Sequence, residues 1–208
     1  MTHHIGIIGA GDITKKTYLP ILSKIKGCDL VAICGRTKYS VNKLAKEYKI
    51  KHVYTDFYKI LDRSDVDIVF ICTPTESHYM IAKAALKKEK NILIEKPLTL
   101  NCEENLHLLN LAQKKNKVFY TAFNSFYRDE NQWISQKILS GDIGDLQMIN
   151  LEWYRKISFD QNGGILIHLG AKLLYFALSL LPGRQSFSVV CQNLECSSDS
   201  NDNEDRSM

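Results

Sequence analysis

Along the first 120 residues, short apolar runs alternate with longer stretches in which apolar residues return every three or four positions. The runs fall at residues 5–8, 30–34, 68–72, 92–94 and 118–120, with a weaker one at 52–54. Their length and their Ile, Val and Phe content predict strands, and being apolar on successive residues they predict strands buried on both faces. Between them the 3.6-residue period predicts helices over 12–26, 39–48, a short piece from Asp56, 77–88 and 102–116. The last begins N-C-E-E, so Asn101 can cap it while Glu104 reaches back, a capping box. Buried strands alternating with helices imply an α/β, doubly wound parallel sheet of Rossmann type.

After Phe123 the rhythm changes. A helix over 129–140 meets the turn GDIGD, and LQMINLEWYRK then alternates as a strand would. A Gly163-Gly164 turn leads into an amphipathic helix that runs to Leu181, where Pro182-Gly183 stops it. A further strand over 186–191 precedes the polar tail SSDSNDNEDRSM, whose composition reads as disordered. The division predicted is a dinucleotide-binding domain over 1–120 and an incomplete α+β domain over 121–208. One or two strands make no stable sheet alone, so the second part reads as the beginning of a larger unit.

Composition narrows the function. With 45% hydrophobic and 24% charged residues the chain can bury a globular core. Its 27 basic residues are scattered among 23 acids, and no basic run offers a nucleic-acid or membrane surface. The six cysteines include no C-x-x-C pair, and two lie in apolar runs, which points to free thiols in a reducing cytoplasm and to no metal site. His3-His4 at a strand entry reads as polar edge residues. No apolar stretch reaches the ~18 residues of a membrane span, and MTHHIGIIGAG enters a strand at once, leaving no room for a signal peptide.

GIIGAGDIT lies where the first strand passes into the first helix. Gly9 allows the tight turn and Gly11 lets backbone approach a pyrophosphate, while Thr14 replaces the third glycine of the fingerprint. Where NAD-binding versions carry an acid at the end of the second strand, LVAICGRT has Gly35, then Arg36. Losing the carboxylate removes repulsion of a 2′-phosphate, and Arg36 can pair with that phosphate, so NADP is favoured with NAD as the lesser choice. Ligands of an open parallel sheet bind outside the carboxyl ends of its strands. C-T-P-T ends the fourth run and E-K-P the next, so both face the crevice that holds the glycine turn. There Lys96, beside Glu95, can hold a substrate hydroxyl and move its proton; a purely structural ion pair is the alternative.

Taken together, G-x-G, the T-P-x-x-x-H of Thr73, Pro74 and His78, and the E-K-P of Glu95, Lys96 and Pro97 resemble the Gfo/Idh/MocA oxidoreductases. The likeness continues through AFNSFYR, S-G-D-I-G and GGILIHLG. It implies hydride transfer between NAD(P) and a hydroxyl- or keto-bearing carbon, usually of a sugar or cyclitol. It also implies that Lys96 belongs to the active site, that the Lys96–Pro97 bond is cis, and that His78 lies toward the nicotinamide. Gly9, Gly11, Asp12, Ile13, Arg36, Thr73, Pro74 and Glu95 are expected to line the cofactor, whereas Tyr127 and Arg128 are left as substrate or packing residues.

One motif departs from the family. G-G-x-L-x-D-x-G-x-H is usual there, and this chain reads G-G-I-L-I-H-L-G-A-K. His168 stands where the resemblance expects the Asp and Lys172 where it expects the catalytic His. At ~100° per residue His168, Lys172, Tyr175 and Ser179 share a stripe, readable as a solvated face or as a rebuilt polar wall over the nicotinamide. As a wall, with Lys96, it would suit an anionic or sugar-like substrate. Glu204-Asp205 resembles the family's next strand opening cut short, so the chain is expected to be truncated. A catalytically impaired nucleotide-binding protein is the alternative function. Family members pair through the second-domain sheet, which leaves a homo-oligomer open here.

Overall fold

The computed structural model describes residues 2–152 and 170–181. Six strands, β1 (His3–Ile8), β2 (Cys28–Cys34), β3 (His52–Tyr54), β4 (Ile68–Ile71), β5 (Asn91–Ile94) and β6 (Phe119–Thr121), occupy the apolar runs. They form one parallel sheet in the order β3-β2-β1-β4-β5-β6. The chain builds outward from β1 to β3, then returns to lay β4 on β1's other side. That reversal opens a crevice above the carboxyl ends of β1 and β4.

Strand residues alternate between two buried faces. Ile5, Ile7, Ile33 and Phe70 join one core with Leu19, Leu22, Val41 and Leu44; Ile8, Val69, Ile71, Ile92 and Ile94 join another with Ile81, Leu86 and Leu108. Two-sided burial is why these strands read as continuous apolar runs. Over one face lie a π turn at Thr14–Tyr18, α1 (Leu19–Leu22) and α2 (Lys38–Glu47); over the other lie α3 (Tyr58–Leu61), α4 (His78–Lys87) and α5 (Cys102–Lys114).

Two helix details differ from the periodicity. Helical backbone begins at Asp12 but stops at Leu22, short of the 12–26 expected, and it widens over Thr14–Tyr18 so that Leu19 N–H donates to Thr14 O five residues back. Pro20 accounts for this: its ring excludes the carbonyl four residues earlier and it has no N–H to donate. At α5 Asn101 does cap, its Oδ1 accepting from Glu103 N (2.7 Å) and Glu104 N (3.3 Å). The reciprocal bond comes from elsewhere, because Asn101 N–H donates to Thr99 Oγ1 at 3.0 Å. Half of the capping box is thus replaced by a neighbouring threonine.

Beyond β6 a 3-10 turn at Asn124–Tyr127 leads into α6 (Asp129–Leu139), and Gly141 and Gly144 take positive φ in the expected turn. Residues 146–152, expected as the first part of a strand, pair with no strand among the described residues, where the six-stranded sheet is the only one. Without a neighbour to take its N–H and C=O groups an alternating sequence has no ladder to join. α7 (Ala171–Ser179) forms on the predicted amphipathic stretch. His168, the Gly163-Gly164 turn, the strand over 186–191 and the tail lie outside the described residues. No described helix is long and apolar enough to cross a membrane.

Candidate functional site

At the corner after β1, Gly9 and Gly11 serve different ends. Gly9 has φ +112°, its N–H donates to Cys34 O (2.9 Å), and a Cβ there would stand 2.4 Å from Cys72 O. Only glycine fits between β2 and β4 in that conformation. Around Gly11 a Cβ would meet nothing within 4 Å. Its side-chain space is an open cradle on the solvent side of the helix start, shaped for close approach of a phosphate. Thr14, the replaced third glycine, is fully buried and donates from Oγ1 to Gly9 O at 2.6 Å, stitching the turn from beneath. Asp12 is exposed and pairs with Lys16 at 2.8 Å, which draws its carboxyl below the usual range, while Ile13 packs on the first core.

The end of β2 is shaped by the same corner. A side chain at Gly35 would come within 2.8 Å of Ala10 Cβ and 2.7 Å of Val41 Cγ2, so close packing holds the position where an acid would stand. Arg36 follows, exposed, and Thr37 caps α2 through Ser40 N. Burial raises the Cys34 thiol to about 11 and the Cys72 thiol to about 12, which leaves both as inert packing groups. Cys28, Cys34, Cys72 and Cys102 are all free thiols, and Cys102 is exposed rather than buried because it opens α5 on its solvent side.

Above β4 and β5 two loops are bound together by one imidazole. His78 is 1% exposed; its Nε2 lies 2.9 Å from Thr73 O and its Nδ1 3.0 and 3.1 Å from Pro97 O and Leu98 O. This is a brace joining the Thr73-Pro74 loop to the E-K-P corner. Ser77 adds a bond from Oγ to Thr73 Oγ1 at 2.8 Å. The Lys96–Pro97 peptide is cis, as the resemblance implies. Glu95 N–H donates to Ile71 O, continuing the sheet by one rung. The Glu95 side chain accepts at Oε1 from Tyr18 Oη (2.6 Å) and at Oε2 from Lys96 N (3.2 Å). Lys96 itself is half-buried.

β6 brings an aromatic wall beside this corner. Ala122 N–H donates to Ile94 O, and Phe123 stacks on Tyr175 of α7 with ring centroids 4.2 Å apart and planes 8° from parallel. Phe126 meets the same ring edge-on at 5.9 Å. Tyr120 Oη donates to Tyr127 Oη at 2.7 Å; burial first, and these neighbours second, push the Tyr120 hydroxyl far above the ordinary phenol range. Tyr175 of α7 therefore faces protein, while Leu174 and Leu178 are 41% and 36% exposed. Of the two sequence readings of that stripe, the solvated face is excluded at Tyr175. Lys172 stands on it one turn earlier, half-buried.

The carboxyl edge of one sheet thus gathers Gly9, Gly11, Arg36, Thr73, Pro74, Glu95 and Lys96, with His78 beneath them. Sequence reasoning missed Tyr18, which no helical period could aim at Glu95 without the π turn. It also missed the aromatic partners of Tyr175, although the Phe and Tyr density of AFNSFYR was the available signal.

Residues 3–123 match the GFO_IDH_MocA family model, described as an oxidoreductase family with an NAD-binding Rossmann fold. Over 160 residues the chain is 29% identical to the 4-carboxy-2-hydroxymuconate-6-semialdehyde dehydrogenase of Sphingobium sp. strain NBRC 103272 / SYK-6, covering 76% of this chain and 50% of that protein. It is likewise 29% identical over 159 residues to the inositol 2-dehydrogenase of Salmonella paratyphi B, covering 74% and 46%. Among solved structures, the scyllo-inositol dehydrogenase of Lactobacillus casei with bound NAD(H) and scyllo-inositol superimposes with a TM-score of 0.67 at 28% identity. That match covers 70% of this chain and 43% of the other. The chain spans about half the length of the curated relatives it matches.

Proposed function

This chain belongs to the Gfo/Idh/MocA family, oxidoreductases with an NAD-binding Rossmann fold, and from that premise we propose that it uses NADP(H) in preference to NAD(H) on a sugar, cyclitol or related small molecule. The observation that carries the proposal is the shared carboxyl edge. Gly11 opens a phosphate cradle after β1, and Lys96 stands after β5, two strands and so about 10 Å away across the same crevice. Residues 1–120 would hold the cofactor, and 121–208 would begin the part that covers the substrate.

When bound, the nicotinamide donates or accepts the hydride. The chain's own residues do the rest. Gly9, Gly11, Asp12 and Ile13 offer main chain to the pyrophosphate, with Thr14 bracing the turn. Thr73, Pro74 and Glu95 wall the nicotinamide half, and His78 acts by holding those two loops in register. Lys96 holds the substrate oxygen and carries its proton. Lys172 and His168 would form the facing wall, whose positive charge suits an anionic or phosphorylated substrate. Support for NADP comes from the end of β2: the close-packed Gly35 removes the acid, and the exposed Arg36 offers a bidentate partner to a 2′-phosphate.

A second reading, a nucleotide-binding protein without turnover, is favoured by one observation, the Lys172 that stands where the resemblance expects a catalytic His. Fluorescence titration with NADPH and NADH, followed by turnover on a panel of sugars, keto-sugars and their phosphates, tests both. NADPH binding tighter than NADH, with oxidation of at least one panel member, is the expected result. Tight binding with no turnover leaves the second reading, and no binding of either cofactor at millimolar concentration overturns both. Arg36→Leu should remove the preference for NADPH and spare NADH.

A further inference from the structure

Among the groups at the carboxyl edge, Tyr18 has no role in the family resemblance and none in the sequence pattern, yet it makes one of the shortest side-chain bonds of the site. It closes the π turn over Thr14–Tyr18, the distortion that Pro20 imposes on the first helix. Its ring is packed edge-on against Phe70 at 5.4 Å, and its hydroxyl reaches Glu95 Oε1 at 2.6 Å across 77 residues of sequence. A hydroxyl–carboxylate bond of that length is charge-assisted. Burial first, then the Glu95 carboxylate, hold the Tyr18 hydroxyl far above the ordinary phenol range, so Tyr18 remains a donor at every working pH.

The bond fixes the carboxylate. Oε1 takes the Tyr18 proton and Oε2 the Lys96 N–H at 3.2 Å, which pins its plane between the first helix and the E-K-P corner. Each carboxylate oxygen accepts in two directions, so each keeps one for a hydroxyl arriving from the crevice. We infer that Tyr18 is a positioning residue for the nicotinamide half of the cofactor, acting through Glu95, whose remaining acceptor sites it presents to the nearer ribose. The inference rests on the reading of this edge as a nicotinamide dinucleotide site. It ties the glycine turn, which holds the pyrophosphate, to the corner that holds the reacting end, with one side chain of the same helix serving both.

The test separates the two halves of the ligand. In the full 208-residue chain, Tyr18→Phe removes the hydroxyl and keeps the ring on Phe70. NADPH affinity should fall about tenfold, the effect of losing a hydrogen bond to a charged group that orients a ligand. Affinity for 2′,5′-ADP, which lacks the nicotinamide half, should stay within about twofold. Glu95→Gln should show the same split, and Tyr18→Phe added to it should cost nothing further. Equal weakening of both ligands would mean that Tyr18 only supports the fold. Unchanged NADPH binding, or losses that multiply in the double variant, would equally overturn the inference. Failure of the unaltered chain to bind either probe would instead strike the dinucleotide reading itself.

Discussion

Two lysines bracket β5, and they mark two ways of using a charge. Lys90 precedes the strand at the amino edge of the sheet; it is 8% exposed, and its Nζ donates to Arg63 O (2.6 Å) and Val66 O (2.8 Å). Around it the edge closes on itself: Arg63 takes Asp65 and Tyr54, Asp67 takes His4, and Asn91 Oδ1 takes Val118 N. Lys96 follows the strand at the carboxyl edge, half-buried beside a carboxylate fixed from below and a glycine cradle open above. One edge ties its polar groups to one another and to its own backbone, whereas the other arranges them toward a crevice. From the contrast we expect charge at the first edge to bear on stability and charge at the second on ligand binding and chemistry.

The largest effect expected from this contrast is at Lys96. Lys96→Ala should lower kcat by about a thousandfold on whichever panel substrate turns over, the scale of a lost general acid–base group. Melting temperature should hold and NADPH should still bind. Retained turnover would show that the carboxyl-edge lysine is only structural.

The two glycines of the first corner sharpen the comparison inside a single turn. Gly11→Val puts methyl groups into the open cradle and should weaken NADPH binding by about a hundredfold or more without moving the melting temperature. Gly9→Ala forces a Cβ against Cys72 O at positive φ and should destabilise the fold by about 3 kcal/mol or more, seen as a lower denaturation midpoint. If Gly11→Val unfolds the chain as well, the cradle is packing space and its assignment to phosphate fails.

At the amino edge, Lys90→Met preserves the side chain's bulk and leaves two carbonyls without this donor, the buried Val66 O and the part-buried Arg63 O. A loss of about 1–3 kcal/mol is expected by urea denaturation, with NADPH affinity and turnover unchanged. An effect on cofactor affinity larger than that on stability would break the division between the edges.

How much of this was legible beforehand follows the same line. The inner strands β1, β2, β4 and β5 were readable because burial on both faces leaves a continuous apolar signature, whereas the half-buried edge strands β3 and β6 left shorter or weaker runs. The G-x-G and E-K-P corners were readable from their residue types and their place after a strand. Long-range partnerships were not. His78 was expected toward the nicotinamide side by resemblance, with a structural helix-start histidine as the alternative. No local signal foresaw its three carbonyl neighbours, which come from two loops about nineteen and five residues away. Tyr18 was invisible because a period of 3.6 cannot foresee a π turn, and Tyr175 because an alternating stripe does not say which side meets a neighbour. The strand over 146–156, of which 146–152 are described, was expected on local alternation alone, and alternation without a pairing partner decides nothing.

The smallest prediction probes the closed edge through acid. Asp67 Oδ2 accepts from His4 N (3.0 Å) and faces His4 Nδ1 (3.1 Å), and these contacts, the main-chain bond foremost, hold its carboxyl below its ordinary value of 3.8. A carboxyl lowered in the folded state adds stability that is complete above the unfolded value and is lost as pH falls through the folded one. Stability of the unaltered chain should therefore drop on acidification below about pH 4, where protonation of Asp67 begins to favour the unfolded state. Asp67→Asn keeps an oxygen for the His4 N–H but has no proton to take up, so its denaturation midpoint should fall less steeply over the same interval. Because the pair is nearly half exposed, the difference should be a small change of slope, and NADPH affinity at neutral pH should not respond. A change in cofactor affinity at Asp67 would mean that the amino edge communicates with the crevice, and the two edges would then have to be treated as one site.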